Sequence, residues 1–333
     1  MNDQKEQMKR RAEGKLRKTI CRCAFLITLC WCACGCGHKR HPIVMVITPT
    51  GGLEYWENFN HAVKARAEGA GIQVELAAPQ SETDYTEQAQ MVEDAISKHV
   101  RGIIVAPAHQ LVLASSLTQA EQAHIKVVVV GLPIALPARD FAAFVDWDEA
   151  EAGRLAARCM VTMLEGRGEV GMIGVSPTME RSSLIEKAFA DEIARTPDVK
   201  PVGVKYGLSD WARGRQAVLD LVAEYPDIKG IFTTDEFSTH AAAYAFDRGE
   251  RKRPVLIGIS EELNELGELK TGHIDALVIS NPMELGTRAM QAMQVALEGG
   301  NASSYSSQLP VYIIARRTMT ENPIVAMLLK GPR

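Results

Sequence analysis

Short runs of apolar, largely β-branched residues alternate with segments of helical spacing through most of the chain. Nearly continuous apolar character over about 4–8 residues is typical of strands that are buried on both faces of a parallel sheet. The alternation of strand and helix therefore predicts an α/β fold with doubly wound parallel sheets. The predicted strands are 43–48, 72–76, 102–106, 126–130, 169–174, 201–206, 229–234, 254–259 and 274–280.

Two of the helical segments begin with the pattern of a capping box. Asp84 is followed by Glu87, and Asp148 by Glu151, at the spacing in which the first side chain accepts from a free backbone N–H and the Glu reaches back. Both positions are predicted helix starts.

The alternation pauses at residues 132–148, where Pro133, Pro137 and the capping Asp148 interrupt it. The chain after the leader has about 290 residues, which exceeds one typical core. We therefore expect two lobes, and the pause is interpreted as the first crossing between them.

The leader, residues 1–36, begins with a basic stretch and continues into a short apolar run, which indicates an export signal. Its end, ACGC at 33–36, resembles a bacterial lipobox, although Ala33 stands where Leu is usual. The resemblance implies a lipoprotein signal peptide that is acylated on Cys36, with Cys34 as the alternative. Two acyl chains would give a stable lipid anchor.

The crowded cysteines of the leader also suit a Zn or Fe–S site. Against that interpretation, their Cys-x-Cys spacings lack a second cluster or a His pair that would complete four ligands. We predict no metal and no cofactor. Beyond the leader only Cys159 remains, and it is interpreted as a small apolar residue on a buried helix face.

Charge and motifs exclude two function classes. A net charge of −4 gives no global electrostatic reason to bind nucleic acid. The chain has no phosphate-binding Gly-x-x-x-x-Gly-Lys loop, no Gly-x-Ser-x-Gly elbow and no His-Glu-x-x-His helix. The sequence therefore predicts a binding protein and not an enzyme.

The candidate site lies where the predicted strands end, because ligands of open parallel sheets bind outside the carboxyl ends of the strands. Four side chains at these ends suit a polar, ring-shaped ligand: Tyr55, Trp56, Trp211 and Asp235. Aromatic faces stack on sugar C–H surfaces, and a carboxylate accepts hydrogen bonds from hydroxyl groups.

Four stretches in succession resemble type I periplasmic binding proteins of the ribose-binding class. Residues 55–71 resemble the family's first helix with its paired aromatics, and 146–157 its Asp-x-x-x-x-Gly stretch at the hinge. Residues 210–246 resemble its aromatic-led helix, pre-strand Pro-Asp and strand-end Asn-Asp, and 255–290 its closing Gly-Phe-Asp and Gln-x-Pro segments. The similarity covers residues 42–316.

The resemblance implies two doubly wound lobes joined by a hinge. The implied N-terminal lobe comprises residues 42–147 and 282–312, and the implied C-terminal lobe comprises residues 148–281 and 313–328.

The family's ligand contacts are only partly matched. Tyr55 and Trp56 fall on the paired aromatics, Trp211 on the aromatic of the second lobe, and Asp235 where an Asn usually binds. At other contact positions this chain departs from the family. Leu53-Glu54 stands where the family has Asn-Pro, Gly131-Leu132 where it has the Asp-Arg pair that binds sugar hydroxyls, Ile185 where it has an Arg, Ser260 where it has the Asp, and Ser280 where it has the Gln. The predicted ligand-binding set is Tyr55, Trp56, Asp146, Arg181, Trp211, Asp235, Ser260 and Ser280.

Structural alternatives remain open for this set. The aromatics can pack against their helix, Asp235 can be only an N-cap, and Asp146 can be part of hinge packing. Arg181, one turn from Ile185, can be a solvated helix residue.

The resemblance implies an extracytoplasmic solute-binding protein of an ABC importer, which closes two lobes on a carbohydrate-like small molecule. Its partners would be the membrane permease and, through the lipid anchor, the membrane, in the periplasm or at the cell surface. The alternative is a ligand sensor of the same fold that signals to a membrane receptor kinase. A third possibility, the effector lobe of a DNA-binding repressor, lacks the helix-turn-helix that it needs.

Overall fold

Two six-stranded sheets, each packed against helices, form the framework of the protein. The computed structural model describes residues 41–81, 84–137, 141–246, 253–260 and 262–328. The predicted signal peptide and its candidate lipidation sites, Cys34 and Cys36, lie outside the described residues.

The strands are β1 (Ile43–Ile47), β2 (Gln73–Ala77), β3 (Gly102–Val105), β4 (Lys126–Val130), β5 (Ala143–Trp147), β6 (Gly168–Gly174), β7 (Val199–Tyr206), β8 (Ile228–Thr233), β9 (Val255–Ile259), β10 (Ala276–Ile279), β11 (Ser307–Leu309) and β12 (Tyr312–Ala315).

The α-helices are α1 (Glu54–Glu68), α2 (Tyr85–Ser97), α3 (Ala114–Gln122), α4 (Glu149–Met163), α5 (Glu180–Ile193), α6 (Trp211–Glu224), α7 (Glu236–Ala245), α8 (Leu263–Thr271), α9 (Pro282–Leu297) and α10 (Pro323–Leu328). None of those in the described part of the chain has the length and apolar character needed to cross a lipid bilayer.

The two sheets have the same internal order. The first runs β2-β1-β3-β4-β5-β11 with every neighbouring pair parallel, and the second runs β7-β6-β8-β9-β10-β12, in which only the β10–β12 pair is antiparallel. In each sheet the strand that comes first in the chain, β1 or β6, lies inside the sheet, and the direction in which later strands are added reverses beside it. The predicted α/β fold with two doubly wound lobes is confirmed.

Nine strands correspond to the predicted runs, whereas β5, β11 and β12 were not predicted. Strand β5 contains Asp146 and follows the proline-rich pause, and β11 has the sequence SQL, which carries no apolar run. These segments are strands because a neighbouring strand supplies their hydrogen-bond partners, a tertiary effect that local pattern does not report.

One of the two predicted capping boxes forms its first hydrogen bond. The side chain of Asp148 accepts from the backbone N–H of Glu151 over 2.8 Å at the start of α4. The side chain of Asp84 makes no cap hydrogen bond, so the capping box predicted there was wrong, although α2 begins directly after Asp84 as predicted. The backbone of Asp84, with φ −89° and ψ 58°, lacks the extended conformation that N-cap residues normally adopt.

The chain passes between the sheets three times. Helix α4 follows β5 of the first sheet but contacts β9, β10 and β12 of the second. Helix α9 follows β10 of the second sheet but contacts β3, β4 and β5 of the first. Strands β11 and β12, which belong to different sheets, are separated only by residues 310–311.

The largest cluster of buried side chains contains residues from both sheets, and two smaller clusters each belong to one sheet. In the second lobe Phe189 stacks on Phe232 with 4.7 Å between ring centroids. Cys159 lies on α4 and packs half-buried against the large cluster, where burial raises the pKa of its thiol to about 11. It therefore packs as an apolar residue, less deeply than predicted.

Candidate ligand-binding cleft

A cleft with a cavity volume of about 160 Å³ lies between the two lobes. Its lining residues come from both lobes and from the ends of strands or the first turns of the helices that follow them. In doubly wound sheets these positions gather at one edge, which is why a cleft between two such lobes is lined by many short segments.

One wall of the cleft is aromatic. Tyr55 meets Trp56 edge-to-face with 4.9 Å between ring centroids, and it meets Trp147 in the same way at 5.3 Å. Tyr55 and Trp56 stand in the first turn of α1, and Trp147 ends β5. Edge-to-face packing holds these rings in fixed orientations, so the wall is preorganised for an apolar ligand face.

A charged cluster adjoins this wall. The Arg181 Nε lies 3.2 Å from the Glu149 carboxylate, and the guanidinium lies 5.1 Å from the centroid of the Trp147 ring. Asp146 is buried beside them, and its carboxylate accepts a 2.8 Å hydrogen bond from the backbone N–H of Trp147. Burial, together with the negative charge of Glu149, raises the pKa of Asp146 to about 8, while Arg181 opposes the shift.

Asp235 and Ser280 lie in the cleft wall on the second lobe. The Asp235 carboxylate accepts the backbone N–H of Ser238 over 2.9 Å and so caps α7. Its other oxygen, Oδ2, has no hydrogen-bond partner among the described residues. Burial raises the pKa of Asp235, and the bond from the Ser238 N–H opposes that rise.

Contacts between the lobes are made at the start of α1. The Glu262 carboxylate of the second lobe accepts the backbone N–H groups of Glu54, over 3.4 Å, and Tyr55, over 3.2 Å. In return, the Glu54 carboxylate accepts the backbone N–H of Leu263 over 3.1 Å. Each helix start is thus supplied with an acceptor from the opposite lobe.

Five of the eight predicted ligand-binding residues line the cleft: Tyr55, Trp56, Arg181, Asp235 and Ser280. The other three do not. Asp146 lies behind Glu149, Trp211 is 44% exposed outside the lining, and Ser260 is buried with its hydroxyl 3.3 Å from the Glu265 carboxylate. For all eight residues, direct contact with a ligand stays a prediction.

Three lining carboxylates, Glu149, Glu236 and Glu262, were not predicted. Glu149 stands in the first turn after β5, which was itself missed, and Glu262 follows the end of β9. Their position directly after a strand was the available signal. Arg181, for which a solvated helix position stayed open, instead reaches Glu149 across the space between α5 and α4.

No group of three or more His, Cys, Asp or Glu side chains in the described ranges is arranged to hold a metal ion. The cleft lining presents aromatic faces, hydroxyl groups, carboxylates and the guanidinium of Arg181.

The family model of the periplasmic binding protein domain matches residues 43–301. The chain is 21% identical over 262 residues to the D-allose-binding periplasmic protein of Escherichia coli strain K12, an alignment that covers 77% of this chain and 84% of that protein.

Solved structures with the same fold match this chain over nearly the whole of their own length. A carbohydrate transporter solute-binding protein from Agrobacterium radiobacter, in complex with D-arabinose, superposes with a TM-score of 0.79 at 20% identity and covers 87% of this chain and 99% of that one. A periplasmic solute-binding protein of an ABC transporter from Actinobacillus succinogenes 130z, with bound D-allose, gives 0.78 at 17% identity over 84% and 100%. The chain therefore belongs to the periplasmic binding protein family, as a type I member.

Proposed function

We propose that the protein is the solute-binding component of an ABC importer and binds a sugar-like small molecule between its lobes without changing it chemically. The observation that carries the proposal is the cleft itself, because it combines a preorganised aromatic wall with buried polar groups and is lined by both lobes. The relatives support the carbohydrate class, because one is a D-allose-binding periplasmic protein and two solved structures contain D-arabinose or D-allose.

The mechanism that we propose is hinge closure about the three crossings, with the lobe limits at 147/148, 281/282 and 312/313. A ligand that contacts both lobes favours the closed state by the difference between its affinities for the closed and open states. Support comes from the separation of the two sheets and from the single-stranded crossings between them.

Within the cleft we propose Tyr55, Trp56, Asp235 and Ser280 as direct ligand contacts, with Arg181 at the edge of the aromatic wall. Contacts to Asp146, Trp211 and Ser260 remain part of the sequence prediction, and they would require a rearrangement of the cleft.

Membership of the family implies a periplasmic location. We further propose that acylation of Cys36 anchors the protein to the membrane, on the basis of the lipobox-like sequence ACGC at 33–36. Fractionation of cells that express Cys36→Ser tests the anchor, because the variant should leave the membrane fraction, and unchanged attachment would contradict the assignment.

Ligand binding is tested by thermal unfolding in the presence of D-allose, D-arabinose and other monosaccharides, followed by calorimetric titration of each hit. A ligand at 100 times its dissociation constant stabilises the native state by about 2.7 kcal/mol. Trp56→Ala should weaken binding at least tenfold, or by about 1.4 kcal/mol, because it removes part of the aromatic wall. An absence of binding by any monosaccharide, or full affinity in Trp56→Ala, would contradict the proposal.

A further inference from the structure

The charged groups of the cleft are unevenly divided. Among the described lining residues, Glu149, Asp235, Glu236 and Glu262 carry carboxylates, whereas Arg181 carries the single cationic side chain. A carboxylate that is withdrawn from water needs a compensating charge or donors, because its burial otherwise costs free energy.

Arg181 carries one positive charge, which is fewer than the charges of the lining carboxylates, and it contacts Glu149 and Trp147. Its Nε is 3.2 Å from Glu149 and its guanidinium lies over Trp147. Glu262 is likewise engaged, since it accepts the N–H groups of Glu54 and Tyr55 at the start of α1.

Asp235 differs from these residues. It is 7% exposed, and Oδ1 accepts the Ser238 N–H over 2.9 Å, but Oδ2 has no hydrogen-bond partner among the described residues. The partial positive charge of the α7 N-terminus favours the carboxylate, as do the nearby donors of Ser238 and Phe237, but none of them makes a hydrogen bond to Oδ2. The cleft wall therefore holds a buried acceptor that a ligand donor can satisfy.

We propose that the ligand carries a cationic amino group, as in an amino sugar or an aminated polyol, and that this group binds at Oδ2 of Asp235. The inference rests on the proposed function. An ammonium group supplies three donors, accepts nothing and brings the charge that the lining carboxylates lack. A sugar hydroxyl supplies one donor and no charge, so it leaves the excess of acceptors uncompensated.

The rest of the cleft suits the non-ionic part of such a ligand. The aromatic wall of Tyr55, Trp56 and Trp147 would cover a C–H face, and the Ser280 hydroxyl can donate to or accept from a ring substituent. Burial raises the pKa of Asp235, and a neighbouring ammonium group would oppose that rise.

The test uses matched pairs of ligands in calorimetric titrations of the full-length protein at pH 7. The probes are D-glucosamine, D-galactosamine and D-mannosamine, each with its parent hexose and its neutral N-acetyl derivative. At least one free amine should bind ten times more tightly than both of its neutral partners. Asp235→Asn should reduce that preference to less than twofold, because the amide still caps α7 but carries no negative charge to pair with the ammonium group.

Asp210→Asn provides the matched control. Asp210 caps α6 through the Arg213 N–H over 2.8 Å, but it is exposed and does not line the cleft. This variant should keep the full preference for the amine.

Three other outcomes separate the hypotheses. If a parent hexose binds and every amine binds equally or more weakly, the inference is wrong and the proposed function stands. If neither the amines nor these hexoses bind, the inference is wrong, and the titrations of D-allose, D-arabinose and the other monosaccharides decide the proposed function. A preference for the amine that persists in Asp235→Asn would overturn the role of Asp235.

Discussion

At the scale of single residues, the distinctive feature of the cleft is a buried carboxyl behind its lining. Asp146 is nearly inaccessible to solvent, and burial is the main cause that raises its pKa to about 8, with Glu149 adding to the shift. A carboxyl whose pKa is higher in the folded than in the unfolded protein binds its proton more tightly when folded. Its contribution to stability is therefore present at low pH and lost as pH rises from about 4 to about 8.

Asp146→Asn should flatten the pH dependence of stability. The amide cannot ionise, and its oxygen can still accept the Trp147 N–H that Asp146 accepts over 2.8 Å. Between pH 5 and pH 8 the wild-type free energy of unfolding should fall by up to about 1.4 kcal/mol per pH unit from this group alone. Urea unfolding at several pH values in this range measures the slope, which should be smaller for the variant.

Asp220→Asn serves as the control, because Asp220 is exposed on α6, where its carboxylate accepts a hydrogen bond from Gln216. Its pH slope should match that of the wild type. Equal slopes for Asp146→Asn and the wild type would mean that Asp146 is ionised throughout the range.

At the scale of the elements, both lobes use a glycine to bring two helices together. In the first lobe Gly286 of α9 faces α1, where an added Cβ would lie 2.4 Å from the Phe59 carbonyl oxygen. In the second, Gly153 of α4 faces α5, where a Cβ would lie 2.3 Å from the carbonyl oxygen of Ile185. In each pair the atom nearest to the added Cβ belongs to the backbone, which cannot rotate away as a flexible side chain can.

Gly153→Ala and Gly286→Ala should each destabilise the protein by about 1–3 kcal/mol, because overpacking outweighs the gain in helix propensity. Gly267→Ala in α8 is the matched control, since nothing lies within 4 Å of its added Cβ, and it should stabilise by about 0.5–1 kcal/mol. Urea unfolding of the three variants gives the comparison. Similar effects at all three positions would show that the helix pairs move apart without cost.

At the scale of the whole molecule, the lobes are joined at the mouth of the cleft by two exchanged carboxylates. Glu262 accepts N–H groups at the start of α1, and Glu54 accepts the Leu263 N–H at the start of α8. These bonds link residues more than two hundred positions apart and satisfy backbone donors that neither helix caps with a side chain of its own.

If the lobes open and close as proposed, Glu262→Ala should favour the open form. Hydrogen bonds to charged groups contribute about 1.5–3 kcal/mol each, so the loss of two should shift the closed-to-open ratio by more than tenfold. Small-angle scattering of the ligand-free protein should then give a larger radius of gyration for the variant than for the wild type.

Glu57→Ala is the control for this experiment, because Glu57 is an exposed acidic residue of the same first turn and has no hydrogen bond to the second lobe among the described contacts. Its scattering should match that of the wild type. Unchanged scattering for Glu262→Ala would show that the exchanged carboxylates do not hold the lobes closed.

The sequence by itself determined the layered architecture. Strands buried on both faces must be apolar along their length, so the inner strands β1, β3, β4, β6, β8, β9 and β10 were visible as local patterns. The edge strands β2 and β7 were predicted as well, although they are less buried. The same logic located the site, because strand ends are readable from the sequence, and it identified Tyr55, Trp56 and Asp235 as side chains near a cleft.

Only the tertiary structure decided what depends on neighbours from distant parts of the chain. Strands β5 and β11 are strands because partners pair with them, since Asp146 interrupts the apolar residues of β5 and β11 has no apolar run, whereas the short apolar run of β12 was overlooked. The pairing of Arg181 with Glu149, and the positions of Trp211 and Ser260 outside the lining, likewise follow from how distant segments pack. Local sequence reports what a residue prefers, whereas burial and charge pairing are set by which segments meet in space.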